Sequence, residues 1–125
     1  HVSLHVSTDD GSVGHKGYNT EVLDQLLTAS ADPDATDPPI DKVFACGPEM
    51  MLKSVLDVSE KHSIPCQLSL ERYMKCGFGI CGNCAVDDTG QRLCVSGPVV
   101  PGHECKKISE FGKYHRDELG KKHEF

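Results

Sequence analysis

No run of apolar residues in this chain approaches the ~20 that a membrane-spanning helix needs, so the 125 residues read as soluble, with no membrane partner. Positive charge is in deficit. Thirteen Lys and Arg against nineteen Asp and Glu leave a net charge of −6, and the basic residues are dispersed apart from small groups near Lys106 and Lys121. That argues against nucleic acid as the main partner. A secretory signal is lacking. The seven cysteines are an odd number set in an ordinary apolar fraction of 38%, which favours a reducing compartment, hence a cytoplasmic location, over a secreted disulfide scaffold. An initiator methionine is lacking too. His1 opens directly on a strand-like run, which reads as a piece of a longer protein, and 125 residues suffice for one domain with at most a small appendage.

Periodicity places the elements. Val2, Leu4 and Val6 alternate with polar residues, the period-two pattern of a half-buried strand, which ends in the turn Thr8-Asp9-Asp10-Gly11-Ser12. Thr20 can cap a helix to about Leu27, with Val22, Leu23, Leu26 and Leu27 on one face. Residues 31–39, rich in Asp and Pro, read as a surface loop. Lys42 to Cys46 reads as a short buried strand, and Gly47-Pro48-Glu49 turns directly into a helix to about His62, with Pro48 at its first position. Cys66 to Leu70 is the next strand. Residues 1–70 are therefore expected to form a parallel α/β half-domain. Residues 72–105 hold few aliphatics and many glycines, too thin a core to fold without a bound staple. The tail 106–125 is polar, docked by Phe111 and Tyr114 and expected to be disordered at its end.

Four cysteines, Cys76, Cys81, Cys84 and Cys94, follow the spacing C-x4-C-x2-C-x9-C. This is the plant-type ligand spacing of a [2Fe–2S] cluster. Gly77, Gly79 and Gly82 suit a backbone that curls around the cluster and points amides at its sulfurs. Zinc frameworks usually present two short knuckles, and only the Cys81/Cys84 pair has that form, so structural zinc is the lesser alternative.

In open α/β sheets, ligands bind at the carboxyl ends of the strands. Two loops lie there: Thr8 to Ser12, with Asp9 and Asp10, and Ala45 to Glu49, with Cys46, Gly47 and Pro48. The second leads into a helix N-terminus whose amides favour an anionic ligand. By themselves, both loops are equally readable as turns.

Together these residues resemble a known family. Ala45-Cys46-Gly47-Pro48-Glu49-Met50-Met51 and the four-cysteine segment are similar to the ferredoxin reductase-type electron-transfer subunit of NAD-dependent dihydroorotate dehydrogenase. So are Thr8-Asp9-Asp10-Gly11-Ser12 with Gly14 and Gly17, Leu70-Glu71-Arg72, and Cys94-Val95-Ser96-Gly97-Pro98-Val99. The resemblance covers roughly residues 2–116. It implies the C-terminal portion of an NAD-binding α/β domain over 1–70, a small, irregular [2Fe–2S] domain over 71–105 and a polar tail over 106–125. It further implies electron flow between NADH, FAD and the cluster, then to an FMN-containing catalytic subunit that interconverts dihydroorotate and orotate. Cys46 matches the position near the nicotinamide, Thr8, Asp9 and Asp10 the adenosine-ribose region, and the four cysteines the cluster ligands. The FAD barrel and the glycine-rich pyrophosphate loop of that family are absent from these residues. The cluster site is thus expected to be the complete one, and the chain alone inactive. Asp9 and Asp10 would repel a 2′-phosphate, which favours NADH over NADPH. The flavin subunits of soluble hydrogenases and ferredoxin:NADP oxidoreductases share this plan, but some carry Asp in place of the first cluster ligand. A zinc-stapled interaction module is the reading outside redox chemistry. The surface that meets a partner subunit could also pair two copies as a homodimer.

The remaining residues have plainer expectations. Cys66 reads as a buried small hydrophobe, and Cys105, in a polar stretch, as a spare thiol. His15, His103 and His115 read as surface histidines, and the Met50/Met51 pair as helix packing, with Met50 near enough to the strand end to touch a ligand. Arg72 and Lys75 beside the loop would favour a reduced, more negative cluster.

Overall fold

The computed structural model describes residues 2–35 and 38–125; His1, Thr36 and Asp37 of the expected terminal and loop segments lie outside the described residues. The architecture is mixed α/β with three small sheets. The first is a parallel pair, β1 (Ser7–Thr8) and β2 (His15–Lys16). Helix α1 (Asn19–Ser30) follows, then β3 (Val43–Cys46), α2 (Glu49–Lys61) and β4 (Cys66–Ser69). Strands β3 and β4 are parallel, with Val43 opposite Cys66 and Cys46 opposite Ser69. Helix α2 makes the crossover such a pair requires. Beyond them lie the single turn α3 (Leu93–Ser96), β5 (Val99–Pro101), the single turn α4 (Gly102–Cys105), and a hairpin of β6 (Tyr114–Arg116) and β7 (Lys122–Glu124).

The central element is β4, because β5 returns from the cysteine segment to pair with it antiparallel, Leu68 opposite Val100. Leu68 is wholly buried. Helix α2 covers this sheet with Leu52, Val55 and Leu56, each worth ~1.5–3 kcal/mol of burial. Helix α1 is tied to α2 through Asp24, which accepts hydrogen bonds from Lys61 Nζ at 2.8 Å and pairs with His62 at 2.6 Å. Gly102 opens α4 because a Cβ there would lie 2.5 Å from Cys66 Sγ and 2.7 Å from Leu56 Cδ1. One apolar core runs from Leu27 and Val43 through Val86, Leu93 and Val100 to Ile108 and Phe111.

Several expectations need correction. Residues 2–6 form no strand: Val2 and Leu4 are 93% and 86% exposed, since alternation makes a face but no surface among the described residues covers it. Helix α1 begins at Asn19, with Tyr18 as its N-cap and no side-chain capping bond, so Thr20 lies inside it. Pro48 is the N-cap of α2 rather than its first residue. Strand β3 is covered on one face only, with Phe44 and Cys46 exposed. Residues 72–105 supply Cys84, Val86, Leu93, Val100 and Cys105 to the common core, so that segment is fused to the α/β core rather than standing alone. Cys105 is no spare thiol but wholly buried, and burial, then the charge of Cys66, pushes its thiol up to about 12. The chain end is ordered as the β6–β7 hairpin, with Tyr114 opposite Glu124. Cys66 is buried, as its strand position suggested.

Candidate functional site

The cysteine segment is irregular because its backbone repeatedly enters the left-handed region: φ is +75° at Gly77, +85° at Gly79 and +76° at Gly82. Only glycine does this at little cost. The result is a loop whose amides turn inward. The N–H of Cys81 donates to Cys76 Sγ at 3.5 Å, and that of Cys94 to Cys84 Sγ at 3.5 Å. The amides of Cys81 and then Phe78 hold the Cys76 thiol well below its ordinary range, at about 6. The Cys94 thiol is raised, first by its hydrogen bond with the Cys84 thiol and then by desolvation, against the pull of the Gly79 amide. The thiols therefore gather as two neighbouring pairs, 76 with 81 and 84 with 94. The like charge of Cys76 reaches Cys94. Cys84 is buried, Cys81 exposed, and the other two lie between. Among the described residues, no three His, Cys, Asp or Glu converge on a single metal-ion position. The Arg92 guanidinium closes the far side of the loop with a hydrogen bond to the Gly79 carbonyl.

Each of the two loops follows a strand, β1 and β3, but these strands lie in different sheets, so the loops do not share one sheet edge as expected and the structure does not join them. Thr8 ends β1, its hydroxyl donating to the Val13 carbonyl at 3.0 Å. Asp10 Oδ1 accepts the Ser12 amide at 2.9 Å, which holds that carboxyl below the usual range, and Asp9 is exposed. Cys46, at the end of β3, lines a cavity of about 240 Å³ with Asn19, Leu23, Phe44 and Met51, a cavity that Thr8, Asp9 and Asp10 do not line. Gly47 and Pro48 instead face a larger cavity of about 830 Å³. Its other walls are Tyr73 and Met74 ahead of the cysteines and Arg116, Leu119 and Phe125 of the hairpin end, and Met50 also lines it.

Arg72 is not a free cation beside the cysteines. Its side chain is 2% exposed and bound to two carboxylates. Arg72 Nη1 and Nη2 reach Glu49 at 2.5 and 3.3 Å, and Nε reaches Glu110 at 2.6 Å. Its charge is thereby compensated before it can act on a neighbour. Lys75 remains exposed. Sequence reasoning overlooked Glu110, Asp87 and Asn83, each of which binds a residue far along the chain. Asn83, between Cys81 and Cys84, donates to the Glu118 carbonyl at 3.0 Å, and Tyr73 donates to the Glu118 carboxylate at 3.0 Å. Asp87 accepts hydrogen bonds from Tyr114 and from Arg116 Nε at 3.2 Å and Nη2 at 3.0 Å. The hairpin is thus fastened to the cysteine loop from three sides.

Residues 71–106 match the family model of the iron-sulfur cluster binding domain of dihydroorotate dehydrogenase B. Nearly the whole chain is similar to probable electron transfer subunits of dihydroorotate dehydrogenase B (NAD(+)). Identity is 48% with that of Methanocaldococcus jannaschii, covering 95% of this chain and 43% of the relative. It is 44% with that of Methanothermobacter thermautotrophicus, covering 97% and 42%. The chain is a relative of these electron transfer subunits. It spans about two fifths of their length. A solved chain of an NADH-dependent reduced ferredoxin-NADP oxidoreductase, described for flavin-based electron bifurcation, superposes with a TM-score of 0.66 at 30% identity, covering 86% of this chain and 37% of that one. The part of the chain that matches the family model is the part that bears all four loop cysteines and the paired Arg72.

Proposed function

We propose that this chain is the nicotinamide- and cluster-bearing portion of an electron-transfer subunit. It would hold a [2Fe–2S] cluster on Cys76, Cys81, Cys84 and Cys94 and pass electrons between NAD(H) and FAD on one side and an FMN-containing dihydroorotate dehydrogenase subunit on the other, in orotate biosynthesis. Residues 1–70 would be the end of a ferredoxin reductase-type NAD-binding domain, residues 71–105 the cluster-binding unit and residues 106–125 its closing tail. The observation that carries this reading is the pairing of the four thiols inside an amide-lined loop. Two iron ions sharing sulfides need two thiolates each, whereas a lone zinc needs four donors at ~2.3 Å from one point. The amide contacts of Cys81 on Cys76 and of Cys94 on Cys84 support the first arrangement.

A bound [2Fe–2S] group supplies one-electron capacity beside the two-electron chemistry of a nicotinamide or flavin. The chain's own residues do the rest. The amides of Cys81, Phe78 and Ile80 converge on the Cys76 sulfur, where they would offset thiolate charge and raise the tendency to accept an electron. Cys46, exposed at the end of β3, would meet the nicotinamide, with Gly47 and Pro48 shaping the adjoining wall. Thr8, Asp9 and Asp10 would meet the adenosine ribose. The likeness to the ferredoxin-NADP oxidoreductase chain supports a second reading in which this chain belongs to the flavin and iron–sulfur subunit of that type of oxidoreductase, with a partner other than a dihydroorotate dehydrogenase subunit.

Anaerobic reconstitution with iron and sulfide, followed by absorbance and EPR of the reduced protein, tests the main point. A rhombic signal of a reduced [2Fe–2S] centre is expected, and Cys81→Ser should abolish it. A colourless protein that retains tightly bound zinc after reconstitution would overturn the proposal. Dihydroorotate-dependent NAD⁺ reduction by the full complex separates the two partner readings.

A further inference from the structure

The buried ions Glu49, Arg72 and Glu110 belong to three different parts of the chain. Glu49 opens α2, directly after the Cys46-Gly47-Pro48 turn. Arg72 stands four residues before the first cluster cysteine. Glu110 is the root of the hairpin, its carbonyl accepting the amides of Lys113 at 2.9 Å and Tyr114 at 3.1 Å. All three side chains are 8% exposed or less. The guanidinium spends its fork on both carboxylates and also donates to its neighbour's carbonyl, Glu71 O, at 2.6 Å. Glu49 Oε1 in turn accepts the Gly112 amide at 2.9 Å. Glu110 Oε2 is buried without a partner.

Two carboxylates against one guanidinium, with an oxygen left unsatisfied, is a poor device for stability. A buried ionic group of this kind is often no better than apolar residues of the same volume. What it supplies is direction. A planar fork held by two acceptors on different elements defines angle as well as distance, which apolar packing does less sharply.

We propose that Arg72 is a positioning residue: held between Glu49 and Glu110, it sets the separation and orientation of the cluster loop relative to the domain that carries the Cys46–Pro48 turn, and so governs the step in which electrons reach the cluster from the flavin that the nicotinamide reduces. This rests on the function proposed above. Lysine keeps the charge but replaces the planar fork with a compact head of rotatable donors, which fixes no angle between the two carboxylates.

The test uses the whole electron-transfer subunit in complex with its catalytic partner. In stopped-flow mixing with NADH, flavin bleaching and cluster reduction are followed at separate wavelengths, and amide hydrogen exchange is measured on the same samples. Arg72→Lys should leave the EPR signature and the first phase of flavin bleaching, in which NADH reduces FAD, as in the parent and slow cluster reduction several-fold. Exchange should rise together at residues 47–52, 70–75 and 110–114. Parent rates for both steps in Arg72→Lys, or equal slowing of both, would overturn the positioning role alone. A parent complex without a [2Fe–2S] signal would overturn the proposed function and this inference with it. Should Arg72→Lys fail to fold, Glu110→Ala, which leaves Arg72 paired with Glu49, carries the same test: a selective loss at the cluster step supports the role, and parent rates overturn it.

Discussion

Cys105 shows how a residue's neighbours in sequence mislead about its surroundings. It stands among His103, Glu104, Lys106 and Lys107, yet its side chain is sealed in the core beneath β5, with Sγ 3.8 Å from the Val100 carbonyl. Cys105→Ser would place a better-solvated hydroxyl there and is expected to cost about 1–3 kcal/mol, measured by urea denaturation, while cluster content after reconstitution stays at the parent level. The glycines of the loop separate two costs in the same way. Gly77→Ala meets nothing within 4 Å and pays only backbone strain, ~1–2 kcal/mol. Gly79→Ala pays that strain and also drives a methyl to 2.6 Å from Val95 Cγ2. It should lower reconstituted cluster content, read from the EPR spin count, well below that of Gly77→Ala. The left-handed backbone of the loop was legible at this scale because glycine spacing acts locally. The pairing of Arg72 was not, because its partners are 23 and 38 residues away.

Among the elements, α2 and the β3–β4 pair are where periodicity and turn chemistry place them, since an apolar stripe every three to four residues needs no distant partner to be recognised. The β6–β7 hairpin is different. Its strands are short and polar, and its turn is organised by Asp117, whose Oδ1 accepts the amides of Leu119 and Lys121, both at 2.9 Å, while His123 sits 2.8 Å from Oδ2. Hydrogen bonds from His123, then from the Lys121 amide, hold this carboxyl at about 2 instead of 3.8. A depressed carboxylate stabilises the fold above its unfolded value, and that contribution fades as pH falls through the folded one. The hairpin should therefore keep its turn above about pH 4 and lose it toward pH 2, seen as collapse of the Leu119 and Lys121 amide shifts in NMR. Asp117→Asn should remove most of that acid transition. The stretch 2–6 departs in the opposite sense: of its alternating residues only Val6 meets β2, its carbonyl accepting the His15 amide at 2.8 Å, and Val2 and Leu4 stay exposed.

For the molecule as a whole, three segments that read as separate pieces share one core and one set of buried ions. Removing the cluster should accordingly loosen the loop while sparing the sheet. In the cluster-free protein, amide exchange is expected to quicken at residues 76–84 and to stay slow at β4 and α2. On the proposed assignment of the Thr8–Asp10 loop, the full-length subunit is expected to prefer NADH to NADPH by kcat/KM, because Asp9 and Asp10 would meet a 2′-phosphate with like charge. A preference for NADPH would remove the Thr8–Asp10 loop from the nucleotide site.

The sequence by itself determined the glycine-bent course of the cysteine loop and the turns that end β1 and β3. Ligand spacing, glycine positions and turn residues act over a few bonds, and their physics is contained in the segment that carries them. Only the tertiary structure decided that β5 completes the sheet against β4, that Cys105 is core, and that Arg72 is gripped by Glu49 and Glu110 rather than left to face the cluster. Those outcomes depend on which surfaces meet. Burial turns a dispersed charge into an obligatory partner, because an ion taken out of water must be matched by whatever the fold brings beside it.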